Sequence, residues 1–183
     1  MNLKMPPRKW VVRIVILLCL LPGWQGIGWA QSPYSQFTIY LVRHAEKETG
    51  STNPQLTDCG EQRAQSLAAS FWNVPLEAVY STDYARTRDT AGPTAQAQRL
   101  QVELYNPRQL ERVSELLLNR RQNALVVGHS NTTSVLAGLL IGDQMEPLNE
   151  SIYDRIYEVM VQSSKGGLQI KLQGFNCAGE PVS

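Results

Sequence analysis

The chain has 183 residues, 43% of them hydrophobic and 18% charged, with a formal net charge of +1. That balance fits one globular domain and excludes a disordered chain. No basic run or aromatic-basic interleaving marks a nucleic-acid surface, so nucleic acid is not an expected partner.

Residues 1–30 stand apart from the rest. Lys4, Arg8, Lys9 and Arg13 are basic, no acid precedes Glu46, and Ile14 to Leu21 is wholly apolar. Small residues at Gly28 and Ala30 then precede Gln31. A basic start, a short apolar core and a small-x-Ala end read as a signal peptide over 1–30. The domain over 31–183 is then exported, to the periplasm or beyond the cell. The alternative is an uncleaved N-terminal membrane anchor, because Ile14 to Ala30 holds only Gln25 as a strongly polar residue. That stretch only reaches the lower limit of the roughly 17–25 residues that span a bilayer, and Pro22, Gly23, Gly26 and Gly28 weaken it. After cleavage no stable membrane insertion is expected. The four leading basic residues go with the segment, so the 17 basic and 16 acidic residues become an acidic excess of about three. An anionic ligand must then be drawn by a local arginine cluster. Cys19 falls in the leader, while Cys59 and Cys177 form an even pair, either bridged or free, in an oxidising compartment. No CxxC or HxxxH spacing occurs, so neither a metal nor a cofactor is expected.

After a linker over 31–36, Phe37 to Val42 is β-branched and aromatic and reads as a central strand. A loop rich in Gly, Pro, Ser and Thr ends at Thr57, an N-cap for a helix from Asp58 to Phe71. Leu76 to Thr82 is a short strand. Residues 83–98 read as a helix interrupted or bent near Gly92-Pro93. Gln101 to Tyr105 is an edge strand, and Pro107 to Arg121 a helix with Leu110, Val113, Leu116 and Leu117 at helical spacing. "NALVVGH" is a buried strand, and the following helix closes at Gly142. "IYDRIYEVMVQ" and "GLQIKLQ" form an antiparallel hairpin with Lys165-Gly166-Gly167 at its turn. Strands alternating with helices predict an α/β three-layer sandwich: a mostly parallel central sheet with helices on both faces.

The chain has two histidines, His44 and His129, and each follows a buried strand. In such a sheet ligands bind outside the carboxyl ends of the strands. Arg43, His44, Arg86 and His129 therefore meet on one rim. Neutral imidazole is a nucleophile, and arginine's planar fork matches phosphoryl oxygens. The neighbours of the two histidines are arginine and small polar groups, and arginine beside a ligand histidine would repel a cation, which disfavours a two-histidine metal site.

"LVRHAEK", "YSTDYARTRDTA" and "VVGHSNTT" together resemble the three signatures of the histidine phosphatase superfamily, also called the phosphoglycerate mutase-like family. The likeness covers about residues 37–161 and its compact, small-phosphatase branch. It implies a metal-independent phosphatase acting on a phosphomonoester or phosphoamidate through a phosphohistidine at His44. Arg43 and Arg86 would be phosphate ligands and His129 the second histidine of the pocket. Asn131 would be a further donor to the phosphate, although helix capping explains it equally. The partner would be a small phosphorylated substrate or a phosphoprotein. The family's proton donor is not evident: Ser130, not an acid, follows His129. Glu103 is the first candidate and Glu46 the rival, and with neither the enzyme would need a good leaving group. Without a donor, the alternative is a non-catalytic phospholigand-binding module on the same fold.

Overall fold

The computed structural model describes residues 36–162 and 165–177. The expected leader and its cleavage point lie outside the described residues. Strand β1 (Phe37–Arg43) is followed by α1 (Asp58–Ser70), β2 (Ala78–Ser81), α2 (Ala85–Gln98), β3 (Val102–Leu104) and α3 (Leu110–Arg120). Then come β4 (Ala124–Gly128), α4 (Thr133–Ile141), β5 (Arg155–Gln162) and β6 (Lys165–Leu172).

One sheet takes the order β3-β2-β4-β1-β5-β6. Its first four strands are parallel, while β5 and β6 are antiparallel additions. Alternate side chains point to opposite faces. Val42, Val79, Leu125, Val127 and Ile156 pack on Leu67 and Phe71 of the α1 region and on Ala91 and Ala95 of α2. Ile39, Leu41, Tyr80, Val126, Tyr157 and Val159 meet Val113, Leu117, Leu136 and Leu140 from α3 and α4. Burial on both faces is why "FTIYLVR" and "ALVVG" are nearly continuous apolar runs rather than alternating ones. The three-layer α/β architecture is the one expected.

Three local expectations are corrected, and two of them shape the site. First, α2 runs unbroken through Pro93. Thr87, Thr90, Ala91, Thr94 and Ala95 form a buried stripe at helical spacing that holds the helix together across the missing N–H. Second, α3 begins at Leu110 rather than Pro107. The Asn106 side chain accepts from the Arg108 N–H (3.0 Å), and the Asn106 carbonyl accepts from Gln109 N–H (3.1 Å). Such local turns compete with the helix, and they leave Pro107 and Arg108 in a loop at the rim. Third, Gly166 and Gly167 are not turn residues but pair with Val161 and Met160 inside the hairpin. A Cβ on Gly166 would stand 3.1 Å from the Leu140 carbonyl and from the Ile141 side chain. Glycine lets β6 close on the end of α4.

Cys59 and Cys177 are joined in a disulfide, with Cα atoms 5.7 Å apart. The bridge ties the C-terminal segment to the start of α1. Beside it, Arg63 donates to the Phe175 carbonyl at 3.1 Å. No helix of the described residues is long and apolar enough to cross a membrane.

Candidate active site

Strands β1 and β4 lie side by side and end together, with Arg43 opposite Gly128. The His44 N–H donates to the Gly128 carbonyl at 2.9 Å, which extends the ladder by one residue. The residue after each strand is a histidine, so the two imidazoles emerge as neighbours, ring centroids 5.5 Å apart. Gly128 is required for this approach: a Cβ there would sit 2.9 Å from both Thr132 Oγ1 and Tyr105 Oη.

His44 is 3% exposed. Its Nδ1 lies 2.8 Å from the Ala45 carbonyl oxygen. A carbonyl only accepts, so Nδ1 carries the proton and the lone pair is on Nε2. Burial pushes this imidazole down to about 3, and the Arg43 and Arg86 charges push the same way. The next peptide is held as well. Ala45 N–H donates to Thr90 Oγ1 (2.9 Å), whose hydroxyl donates to the Arg86 carbonyl (2.7 Å). The threonine of the Arg-x-x-x-Thr segment thus anchors the loop that carries His44, a role its sequence position alone does not reveal.

His129 has a fixed tautomer too. The Arg86 guanidinium, a donor only, lies 3.4 Å from Nδ1, so Nδ1 accepts and Nε2–H points to Thr82 Oγ1 at 2.9 Å. The Thr82 hydroxyl donates to Thr87 Oγ1 (2.8 Å), whose own proton is shared between the carbonyls of Thr82 and Tyr84. Burial, then Arg86 and Arg43, lower His129 to about 4. Both rings are neutral at pH 7.

A cavity of about 430 Å³ opens over the two rings. Lys47, Arg86, Arg108 and Asn131 line it, and Glu150 is the one carboxylate in its wall among the described residues. The structure therefore brings His44, His129, Arg86 and Asn131 together. Arg43 is placed differently: it is 2% exposed and sits behind the wall. Its NH1 donates to the carbonyls of Glu150 (2.6 Å) and Ile152 (3.0 Å), and NH2 donates to Glu150 Oε2 (2.7 Å). The Tyr153 ring lies beneath it at 4.0 Å. Only its Nε–H remains, and like Arg86 Nε it is buried with no acceptor among the described residues. Two orphan donors on the two signature arginines mark a place for an anion, because buried donors are otherwise paired.

Glu103 is not brought to the site. It pairs with Tyr80 in the β2–β3 register, its side chain on the α3 face, where both carboxylate oxygens accept from Arg120 (2.9 and 2.6 Å). Strand periodicity turns it away from the rim. Glu46 is not in the cavity either: it is 9% exposed, and Arg63 Nε and NH2 take both its oxygens at 2.6–2.9 Å. Asn53 does not face the cavity but accepts from Ala85 N–H (2.9 Å), capping α2. Glu150 is the residue that sequence reasoning misses. It belongs to an irregular loop 20 residues beyond Ser130 in the chain, and no period or motif singles it out.

The histidine phosphatase superfamily (branch 1) sequence model matches residues 39–107. No curated protein matches the chain in sequence. Among solved structures, the protein histidine phosphatase SixA complexed with tungstate is 16% identical, at TM-score 0.59 over 75% of this chain and 97% of its own. The alpha-ribazole phosphatase from Shigella flexneri is 16% identical, at TM-score 0.60 over 75% and 96%. A phosphoserine phosphatase mutant from Entamoeba histolytica, in complex with phosphoserine, is 16% identical, at TM-score 0.55 over 75% and 97%. At this identity the likeness is one of fold. The family match spans the first two signatures, and over that stretch the chain is similar to the histidine phosphatase superfamily.

The depressed histidines set a pH dependence. The unfolded chain takes up these protons near pH 6.5, whereas the folded chain refuses them until about pH 4 and about pH 3. In that window the unfolded state binds more protons, so stability falls as the pH falls from 6.5 toward 4. The expected result is a declining Tm across this range. His129→Asn, which removes one of the two groups, should decline less steeply in paired thermal melts. Parallel curves for the two proteins would contradict the assignment.

Proposed function

We propose that this chain is a metal-independent phosphatase that works through a phosphohistidine at His44. The observation that carries the reading is the pair of buried, neutral imidazoles flanked by two arginines whose Nε–H groups lack acceptors among the described residues. In the first half-reaction His44 Nε2 attacks phosphorus, the bond to the leaving oxygen or nitrogen breaks, and the leaving group takes a proton. Water then attacks the phosphohistidine, the P–N bond breaks, and its electron pair returns to Nε2. The arginines meet the charge on the non-bridging oxygens, so the scheme routes no step through a metal. His129 becomes a donor to the phosphoryl group when Nδ1 is protonated, a form the incoming anion favours. The similar solved structures, each named as a phosphatase, support the reading.

The substrate is a phosphomonoester or phosphoamidate, free or on a protein. Lys47 and Arg108 stand in the cavity wall and have no ion-pair partner among the described residues. They favour a leaving group that carries a further negative charge. Arg108→Ala should raise KM about two- to fivefold for such a substrate, the effect of an exposed charge pair, with kcat and p-nitrophenyl phosphate hydrolysis unchanged. Equal effects on both substrates would remove Arg108 from recognition. The activity itself is tested by hydrolysis of p-nitrophenyl phosphate in EDTA. Turnover supports the reading, whereas tight oxyanion binding without turnover would replace it with a binding module. The disulfide suits an exported protein. Export predicts a mature N-terminus at Gln31 when the chain is made in an exporting host, and an intact Met1 would contradict it.

A further inference from the structure

We propose that Glu150 is the proton-transfer residue of this site, the carboxylate that takes the proton of the water attacking phospho-His44. This rests on the phosphohistidine reading above and supplies the role that neither Glu103 nor Glu46 can fill. The residue after His129 is Ser130, which cannot itself serve as an acid. The fold supplies a carboxyl group at that spot from elsewhere: the Ser130 hydroxyl donates to Glu150 Oε1, while Oε2 accepts from Arg43. Each oxygen has a further lone pair, and the side chain is 77% exposed. Glu150 lines the same cavity as His44 and His129.

The carboxylate is held as a catalytic group must be. Arg43 is buried and grips the Glu150 and Ile152 carbonyls as well as the carboxylate. Leu148 N–H donates to the Ser130 carbonyl (2.8 Å), and Ser134 Oγ donates to the Glu146 carbonyl (2.6 Å). The loop is therefore pinned to β1 on one side and to the start of α4 on the other. The Ser130 hydroxyl, then Arg43 and Lys47, hold the carboxyl below its usual range. It is ionised at neutral pH, as a base must be.

The chemistry balances. Water forms the new O–P bond, the P–N electron pair returns to His44 Nε2, and the water proton passes to Glu150. The protonated carboxyl then either releases its proton to solvent or gives it to the leaving atom of the next substrate. The leaving group and the attacking water occupy the same side of the phosphorus, opposite His44, so one carboxyl serves both steps.

The test uses Glu150→Gln, which preserves shape and an acceptor oxygen but cannot take a proton. With p-nitrophenyl phosphate, whose leaving group needs little protonation, the variant should release a burst of about one nitrophenol per enzyme. Its steady rate should then be lower by roughly 10²–10⁴-fold. Rapidly quenched samples should show phosphohistidine rising to near the enzyme concentration. Formate should partly restore turnover in Glu150→Ala, which a role confined to holding Arg43 would not explain. Turnover within about threefold of wild type would overturn the proposal. Equal loss of burst and steady rate in a folded variant, without formate rescue, would also overturn it. Failure of the wild type to form any phosphohistidine would instead defeat the reading on which it rests.

Discussion

His44→Ala should lose phosphatase activity by at least about 10⁴-fold, the scale seen when the attacking group of a covalent mechanism is removed. No other described residue can take over. His129 is the only other histidine, and its Nε2 proton is committed to Thr82 while Nδ1 faces Arg86. The loss should appear in kcat, because Arg43 and Arg86, the proposed phosphoryl ligands, are untouched. Oxyanion binding, followed with tungstate or inorganic phosphate, should therefore survive. His44 is buried, so a folding defect must be separated from a chemical one. His44→Asn keeps a donor near the Ala45 carbonyl and should match the wild type in thermal unfolding while remaining inactive. Activity within tenfold of wild type in either variant would remove His44 as nucleophile.

Glu46→Ala should produce the largest loss of stability, about 3–5 kcal/mol. Arg63 is 5% exposed, and the Glu46 carboxylate is its only anionic partner among the described residues. Without it a guanidinium stays buried and uncompensated, retaining only the Phe175 carbonyl and ring. Against a typical total of about 5–15 kcal/mol, a loss of this size makes the protein marginal. The double variant Glu46→Leu/Arg63→Met should recover most of it, because a well-packed apolar pair replaces a desolvated ionic one. Urea unfolding of the three proteins decides the matter. A single variant within about 1 kcal/mol of wild type would mean that Arg63 is hydrated or repartnered.

Much of this arrangement is legible in the sequence, for physical reasons. Strands buried on both faces must be apolar throughout, so β1 and β4 stand out, and the residue after each strand must lie on the rim. Those two constraints are enough to bring His44, His129 and Arg86 together. They cannot give the orientation of Arg43, because the partners of its fork come from residues 149–153, more than 100 positions away in the chain. Distance along the chain points to Glu103, but strand periodicity outweighs it: its partner Tyr80 faces α3, and so does its carboxylate. Glu150 lies in "MEPLNESIYD", where no hydrophobic period exists. Its place is set by the pairing of β1 with β4 and β5 and by Arg43, none of which acts locally. The start of α3 is obscured because Pro107 suits a first helical turn, yet the Asn106 turn competes successfully.

The most direct test of the central claim is to trap the intermediate. The wild-type protein is mixed with p-nitrophenyl phosphate in EDTA, quenched in alkali, where phosphohistidine persists, and mapped by peptide mass spectrometry. The account predicts phosphate on the peptide that contains His44, absent from His44→Asn and from the His129 peptide. Hydrolysis that proceeds with phosphate on neither histidine, or with phosphate on His129 alone, would contradict it.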